Sequence, residues 1–89
     1  MYAIREKEYI PPEWFANVKS GALSTGLIRE GWKKRRGGKH PIFTKAGYGQ
    51  ILLRYGGKSP PNRLTAWYFK EAGVSRAEAA RILGRDEES

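Results

Sequence analysis

A pair of adjacent glycines near the middle of the chain, Gly37-Gly38, constrains the possible folds more than any other sequence feature. The pair separates a basic segment over residues 32–36 from a mostly apolar segment over residues 41–44. Glycines accept positive φ angles without a steric penalty, and a Gly-Gly pair between two short segments is typical of a tight β-hairpin turn. We therefore expect the centre of the chain to form an antiparallel pair of strands.

A third strand is expected after the hairpin. Residues 45–47 predict a second turn, and residues 50–55 then alternate with the period of two that a strand requires. Ile51, Leu53 and Tyr55 fall on one face of this strand. The three segments together predict a three-stranded antiparallel meander.

Helical patterns flank the sheet on both sides in the sequence. Residues 12–30 carry apolar side chains at helical spacing, but the pattern weakens around Ser20, so we expect one broken helix or two short ones. After the sheet, a helix is expected to begin at Ser59 or Asn62 and to end at Gly73.

The last helix carries the clearest local motif. Ser75 and Glu78 have the spacing of a capping box, in which each side chain bonds the backbone N–H of the other residue, and Gly84 is expected to end the helix. The predicted fold class is therefore α+β, with a three-stranded antiparallel sheet packed against helices in the order α-β-β-β-α-α.

The length of the chain fits one small domain over residues 1–89. We expect an N-terminal arm or strand over 1–11, a core over 12–84 and a frayed tail over 85–89. The larger aromatic side chains are expected to pack in this core, among them Trp14, Trp32, Trp67 and Phe69.

Two other folds with nucleic-acid-binding roles stay open. In a winged helix, residues 27–31 would end a recognition helix, the basic hairpin would be its wing, and residues 48–55 would form a helix instead of a strand. A helix-turn-helix centred on Gly73 fits the charge pattern less well, because Glu78 and the acidic residues after Arg85 would repel the phosphates of a nucleic acid.

Positive charge is concentrated in the middle of the chain. The formal net charge is +8, and between Gly31 and Lys70 there are ten Lys or Arg residues and no Asp or Glu. A surface of one sign favours a phosphate backbone as the partner, so we expect the protein to bind a nucleic acid. The candidate nucleic-acid-binding residues are the cations in and near the hairpin: Lys33, Lys34, Arg35, Arg36, Lys39 and Lys58.

The single histidine of the chain, His40, follows this basic segment directly. Histidine is the side chain whose unperturbed pKa lies closest to neutrality, so it can accept and donate a proton under physiological conditions. Metal-free cleavage of RNA needs a base for the 2′-hydroxyl proton and a cation beside the phosphate. The residues alone therefore leave two roles open for His40: an ordinary hydrogen bond or phosphate contact, or catalysis as the general base.

Composition excludes several other chemistries. The chain has no cysteine, so disulfides, thiolate catalysis and a cysteine-based zinc site are absent, and no metal or cofactor is expected. It contains no apolar run of the roughly 18 residues that a membrane span requires. The first nine residues mix both charges, unlike a signal peptide, so we expect a cytoplasmic protein without a membrane partner.

Three stretches of the chain carry a resemblance to a known family by their order and spacing. They are residues 27–32, residues 38–43 around His40, and residues 64–75, which include an Ala-Gly-Val-Ser sequence. In this order they resemble the HicA-type mRNA interferase toxins over roughly residues 20–83.

The resemblance implies a fold like that of double-stranded-RNA-binding domains, with the family's catalytic histidine at His40 and its preceding glycine at Gly38. The family's serine is replaced by Lys39, a departure directly beside the histidine. It also implies a metal-independent endoribonuclease toxin in which His40 is the general base, so that RNA rather than DNA is the expected partner. A HicB-like antitoxin would cover the same surface. A non-catalytic nucleic-acid-binding protein and a small protein-interaction or inhibitor module remain the alternative functions.

Overall fold

The computed structural model describes residues 7–37, 40–53 and 59–85. A short 3-10 helix and one α-helix precede three strands, and two α-helices follow them. In chain order the elements are the 3-10 helix Pro12–Phe15, α1 Ser20–Arg29, β1 Lys33–Gly37, β2 His40–Thr44, β3 Ile51–Leu52, α2 Asn62–Ala72 and α3 Arg76–Leu83. The strands form one antiparallel sheet in the order β1-β2-β3, which confirms the predicted α+β class and its α-β-β-β-α-α order.

The hairpin lies one residue later in the chain than the sequence predicts. The β1–β2 ladder runs from Lys33 opposite Thr44 to Gly37 opposite His40, so Gly37 belongs to the strand and the predicted Gly37-Gly38 turn is wrong by one residue. Strand β1 does not include Trp32, because its backbone N–H donates to the Leu27 carbonyl at 2.9 Å and so continues the end of α1.

The third strand is shorter than the predicted 50–55, and Pro41 gives the physical reason. Leu53 donates its N–H to the Pro41 carbonyl at 3.2 Å, but proline has no N–H to return the bond, so the β2–β3 ladder ends there. Tyr55 lies outside the described residues. Ile51–Leu52 is a strand where the winged-helix alternative needs a helix, so the structure supports the meander.

The helix boundaries follow local backbone chemistry. Asn17 adopts a left-handed φ of 61° between the 3-10 helix and α1, so the break in the predicted 12–30 helix lies before Ser20. Helix α2 begins at Asn62 and is ended by Gly73 at φ 90°. The predicted capping box is present, and Gly84 ends α3 at φ 73°.

The core lies between the sheet and the helices. Its fully buried side chains come from every layer, with Phe15 of the 3-10 helix packed edge-on against Phe69 of α2 at a centroid distance of 5.0 Å. Ile10, which precedes the predicted core, is buried as well. The expectation that Trp67 packs in the core is wrong: α2 turns Ala66, Phe69 and Ala72 inward and leaves Trp67 50% exposed.

Helices α1 and α3 pack very closely. A Cβ built on Gly26 of α1 would come within 1.9 Å of the Ile82 carbonyl oxygen of α3, so only glycine allows this approach. Arg29 donates to the backbone carbonyls of Arg81 and Ile82, which lie near the end of α3. No helix within the described ranges is long and apolar enough to cross a membrane.

The segment before the 3-10 helix is held against α2 and α3. The Lys7 ammonium donates to Glu71 of α2 at 2.7 Å, and Glu8 accepts from the Arg76 backbone N–H at the start of α3 at 2.9 Å. The hydrogen bond from Lys7 holds the pKa of the Glu71 carboxyl below its ordinary value, against a smaller opposing effect of desolvation.

Candidate nucleic-acid interface

The two faces of the sheet differ in what covers them. Residues directly opposite each other in an antiparallel ladder share a face, and successive residues alternate between faces. Phe43, Ile51 and Leu53 lie on the face that packs against the helices, and all three are buried. We call the other side the open face; its members by register are Lys33, Arg35, His40, Ile42, Thr44 and Leu52.

The register divides the basic segment between these two faces. Lys33 and Arg35 are exposed on the open face, opposite Thr44 and Ile42. Lys34 is opposite the buried Phe43 and so belongs to the packed side, but it remains exposed because β1 is an edge strand of the sheet. Among the described side chains of this run, Lys33 and Arg35 therefore belong to one face and Lys34 to the other.

The structure does not describe the side chains of three other predicted binding residues. Arg36 pairs with Pro41 in the β1–β2 ladder, and only its backbone belongs to the described structure. Lys39 and Lys58 lie outside the described residues. Of the predicted set, the structure thus places Lys33, Arg35 and His40 on one face of the sheet.

His40 begins β2 and is exposed at the hairpin end of the open face. Its cross-strand partner is Gly37, which has no side chain to cover the imidazole. Arg35 is the diagonal neighbour of His40 on the same face, a relation that places Cα atoms about 7–8 Å apart in antiparallel sheets. An arginine side chain is long enough to reach a phosphate that also contacts the histidine.

A groove lies at the opposite end of the open face. It has a volume of about 470 Å³ and is lined by Gly31, Lys33, Thr44, Lys45 and Ala46. The Lys45 ammonium donates to the Glu30 carbonyl at 2.9 Å and lies 5.2 Å from the Tyr48 ring centroid, so its position in the groove lining is fixed.

Sequence reasoning missed Lys45, which was assigned only to a turn. It belongs to the same acid-free block as the predicted cations, and extending the ladder by one position beyond Thr44 would have brought it near the start of β1. The four-residue step from His40 to Thr44 corresponds to about 13 Å of strand. Cations therefore lie at both ends of the open face: Arg35 beside His40, and Lys33 at the groove whose lining includes Lys45.

Apolar and polar surface alternate across this face. Ile42 and Leu52 are paired and half-buried between the cationic ends. A nucleic-acid strand presents charged phosphates and less polar sugar and base surface, so cations around an apolar centre suit it. Among the described residues, no cluster of three or more His, Cys, Asp or Glu side chains could hold a metal ion.

No protein-family model, curated protein or solved structure matches the chain.

Proposed function

We propose that the protein binds RNA on the open face of its sheet and cleaves it without a metal ion, with His40 as the general base. One observation carries this proposal: the β1–β2 register places Lys33, Arg35 and His40 on the same face of the sheet, and all three residues are exposed. The high positive charge of the central block supports a polyanionic partner.

The proposed reaction needs only groups that the open face supplies. His40 takes the proton of a ribose 2′-hydroxyl, and the 2′-oxygen forms a bond to the adjacent phosphorus. The bond from phosphorus to the 5′-oxygen then breaks, giving a 2′,3′-cyclic phosphate and a 5′-hydroxyl that receives its proton from the imidazolium or from water. Arg35 stabilises the negative charge that develops on the phosphoryl oxygens.

Substrate and partner follow from this proposal. DNA lacks the 2′-hydroxyl, so the reaction would select RNA even where the open face binds both. The resemblance to HicA-type toxins favours the same role for His40, and we propose a HicB-like antitoxin as the protein that covers the open face. An acidic surface on that protein would complement Lys33, Arg35 and Lys45.

The substitution His40→Ala tests the chemical step. We expect it to lower the cleavage rate by about 10²–10⁴-fold, the usual contribution of a general base, while RNA binding stays within a few-fold of wild type. The measurement is single-turnover cleavage of a labelled RNA in the presence of a metal chelator, together with binding to an RNA whose 2′-hydroxyls are replaced by hydrogen.

The matched control for His40→Ala is Ile28→Ala, which truncates an exposed side chain of α1 outside the open face and removes no titratable group. It should cleave at a rate near that of wild type. Cleavage that persists in His40→Ala, or wild-type protein that binds RNA and never cleaves it, would overturn the catalytic role. A failure to bind any nucleic acid at low salt would instead favour the protein-interaction module.

A further inference from the structure

A second groove lies on α2, away from the residues that the proposed function uses. It has a volume of about 180 Å³, and its lining includes Tyr9, Ile10, Arg63, Ala66, Trp67 and Lys70. Tyr9 and Trp67 are among the most exposed large side chains of the described protein, at 66% and 50%. Exposed aromatic side chains that share one groove are candidates for binding.

The spacing along α2 places cations on both sides of Trp67. Arg63, Ala66, Trp67 and Lys70 recur at helical intervals, so they form one stripe on a single face of the helix. At 1.5 Å per residue, Arg63 and Lys70 are about 10 Å apart along the axis, one before and one after the indole. Positive charge therefore flanks an aromatic surface.

The other wall of the groove is held in place although it is exposed. Lys7 and Glu8, just before Tyr9, bond to Glu71 and to the backbone of Arg76. Ile10, just after it, is only 2% exposed. Tyr9 is thus fixed by its neighbours and loses little backbone freedom when a ligand binds.

The charges of the lining select the ligand. The described lining residues include two cations and no carboxylate, and the nearby Glu71 is paired with Lys7. A nucleotide matches this combination, because its base stacks on aromatic rings and its phosphates attract the cations. A purely apolar peptide would leave Arg63 and Lys70 without partners.

We propose that this groove binds one unpaired nucleotide of the RNA, with the base against Trp67 and Tyr9 and the adjacent phosphates near Arg63 and Lys70. The proposal rests on the proposed RNA-binding function and adds a contact for a single-stranded nucleotide outside the open face. It gives the protein a preference for RNA that contains unpaired bases.

The experiment uses an eight-nucleotide single-stranded RNA with 2-aminopurine at its centre, because stacking quenches the emission of this base analogue. Wild-type protein and Trp67→Phe should quench the probe, whereas Trp67→Leu, which leaves only Tyr9 as an aromatic ring in the groove, should quench it much less. Loss of one stacked base should weaken binding by about 5- to 150-fold. The matched control is Ile28→Ala, which truncates another side chain of equal exposure, 51%, on α1.

A second probe lacks the central base and separates stacking from charge. Trp67→Leu should have little effect on binding of this abasic RNA, while Arg63→Gln/Lys70→Gln should weaken both probes and reduce their salt dependence. Equal losses for the base-containing and abasic probes in Trp67→Leu would overturn the stacking contact.

The outcomes distinguish this site from the open face. Wild-type affinity and quenching in Trp67→Leu, with binding lost in Lys33→Gln/Arg35→Gln, would overturn the groove and leave the proposed function intact. Binding and quenching lost in Trp67→Leu, with wild-type affinity in Lys33→Gln/Arg35→Gln, would support the groove and overturn the open face. No binding of either probe at low salt would overturn both sites. If the groove bound an acidic aromatic peptide and did not bind RNA, it would be assigned to a protein partner and the nucleotide proposal would be overturned.

Discussion

The two faces of the sheet differ in side-chain chemistry and in what they contribute to the protein. The packed face is defined by apolar side chains such as Phe43 and Ile51, which have no exposed surface and fix how the helices dock. The open face is defined by charged and titratable side chains that are all exposed, and nothing in the core requires them. The packed face therefore determines stability, and the open face can vary in chemistry at little cost to the fold.

The largest expected difference between the faces concerns stability. Phe43→Ala should lower the free energy of unfolding by about 3–5 kcal/mol, because it removes a fully buried ring. Ile42→Ala, at the neighbouring position on the open face, should lower the free energy of unfolding by only about 1 kcal/mol, because the half-buried Ile42 buries less apolar area on folding than Phe43 does. Chemical denaturation of both variants checks this, and equal losses would show that the faces are not distinct.

The helix side contains a second test at the α1–α3 contact. Gly26→Ala places a methyl group against the Ile82 carbonyl and should destabilise the protein by about 1–3 kcal/mol or more. Gly21→Ala lies in the same helix with nothing within 4 Å of the new Cβ, so it should stabilise by roughly 0.5–1 kcal/mol. Thermal unfolding should therefore shift in opposite directions for the two variants.

The smallest effect is a pH dependence at the Lys7–Glu71 pair. Because the pKa of Glu71 is lowered in the folded protein, the pair contributes stability above the ordinary glutamate pKa, and this is lost as pH falls through the lower folded value. Glu71→Gln and Lys7→Gln should both remove this small pH-dependent contribution to the free energy of unfolding. Unfolding curves of the three proteins from neutral pH down to acid should then converge, and a gap that persists in acid would contradict this origin.

Elements whose boundaries depend on local chemistry could be predicted from the sequence. The Ser75–Glu78 capping box and the left-handed glycines Gly73 and Gly84 involve only neighbouring residues, and they are confirmed. The end of β3 was not predicted, because it depends on the missing N–H of Pro41 in another strand. The exposure of Trp67 was also missed, since helical periodicity does not say which way a helix is rotated against its neighbours.

The candidate site shows the same limit. The acid-free block around His40 predicted where the charge is concentrated. It could not separate Lys33 from Lys34, because faces are assigned by the ladder register and a single-residue slip reverses them. Lys45 was missed because it was assigned only to the turn after β2.

The most direct test of the central claim compares two adjacent lysines that lie on opposite faces. Lys33→Gln and Lys34→Gln remove the same charge from the same strand, and RNA affinity is measured for both over a range of salt concentrations. If the open face binds RNA, Lys33→Gln should reduce the slope of log affinity against log salt by about 0.7–0.9, and Lys34→Gln should leave it near the wild-type value. Equal changes in the two variants, or a larger change for Lys34→Gln, would contradict the assignment of RNA to the open face.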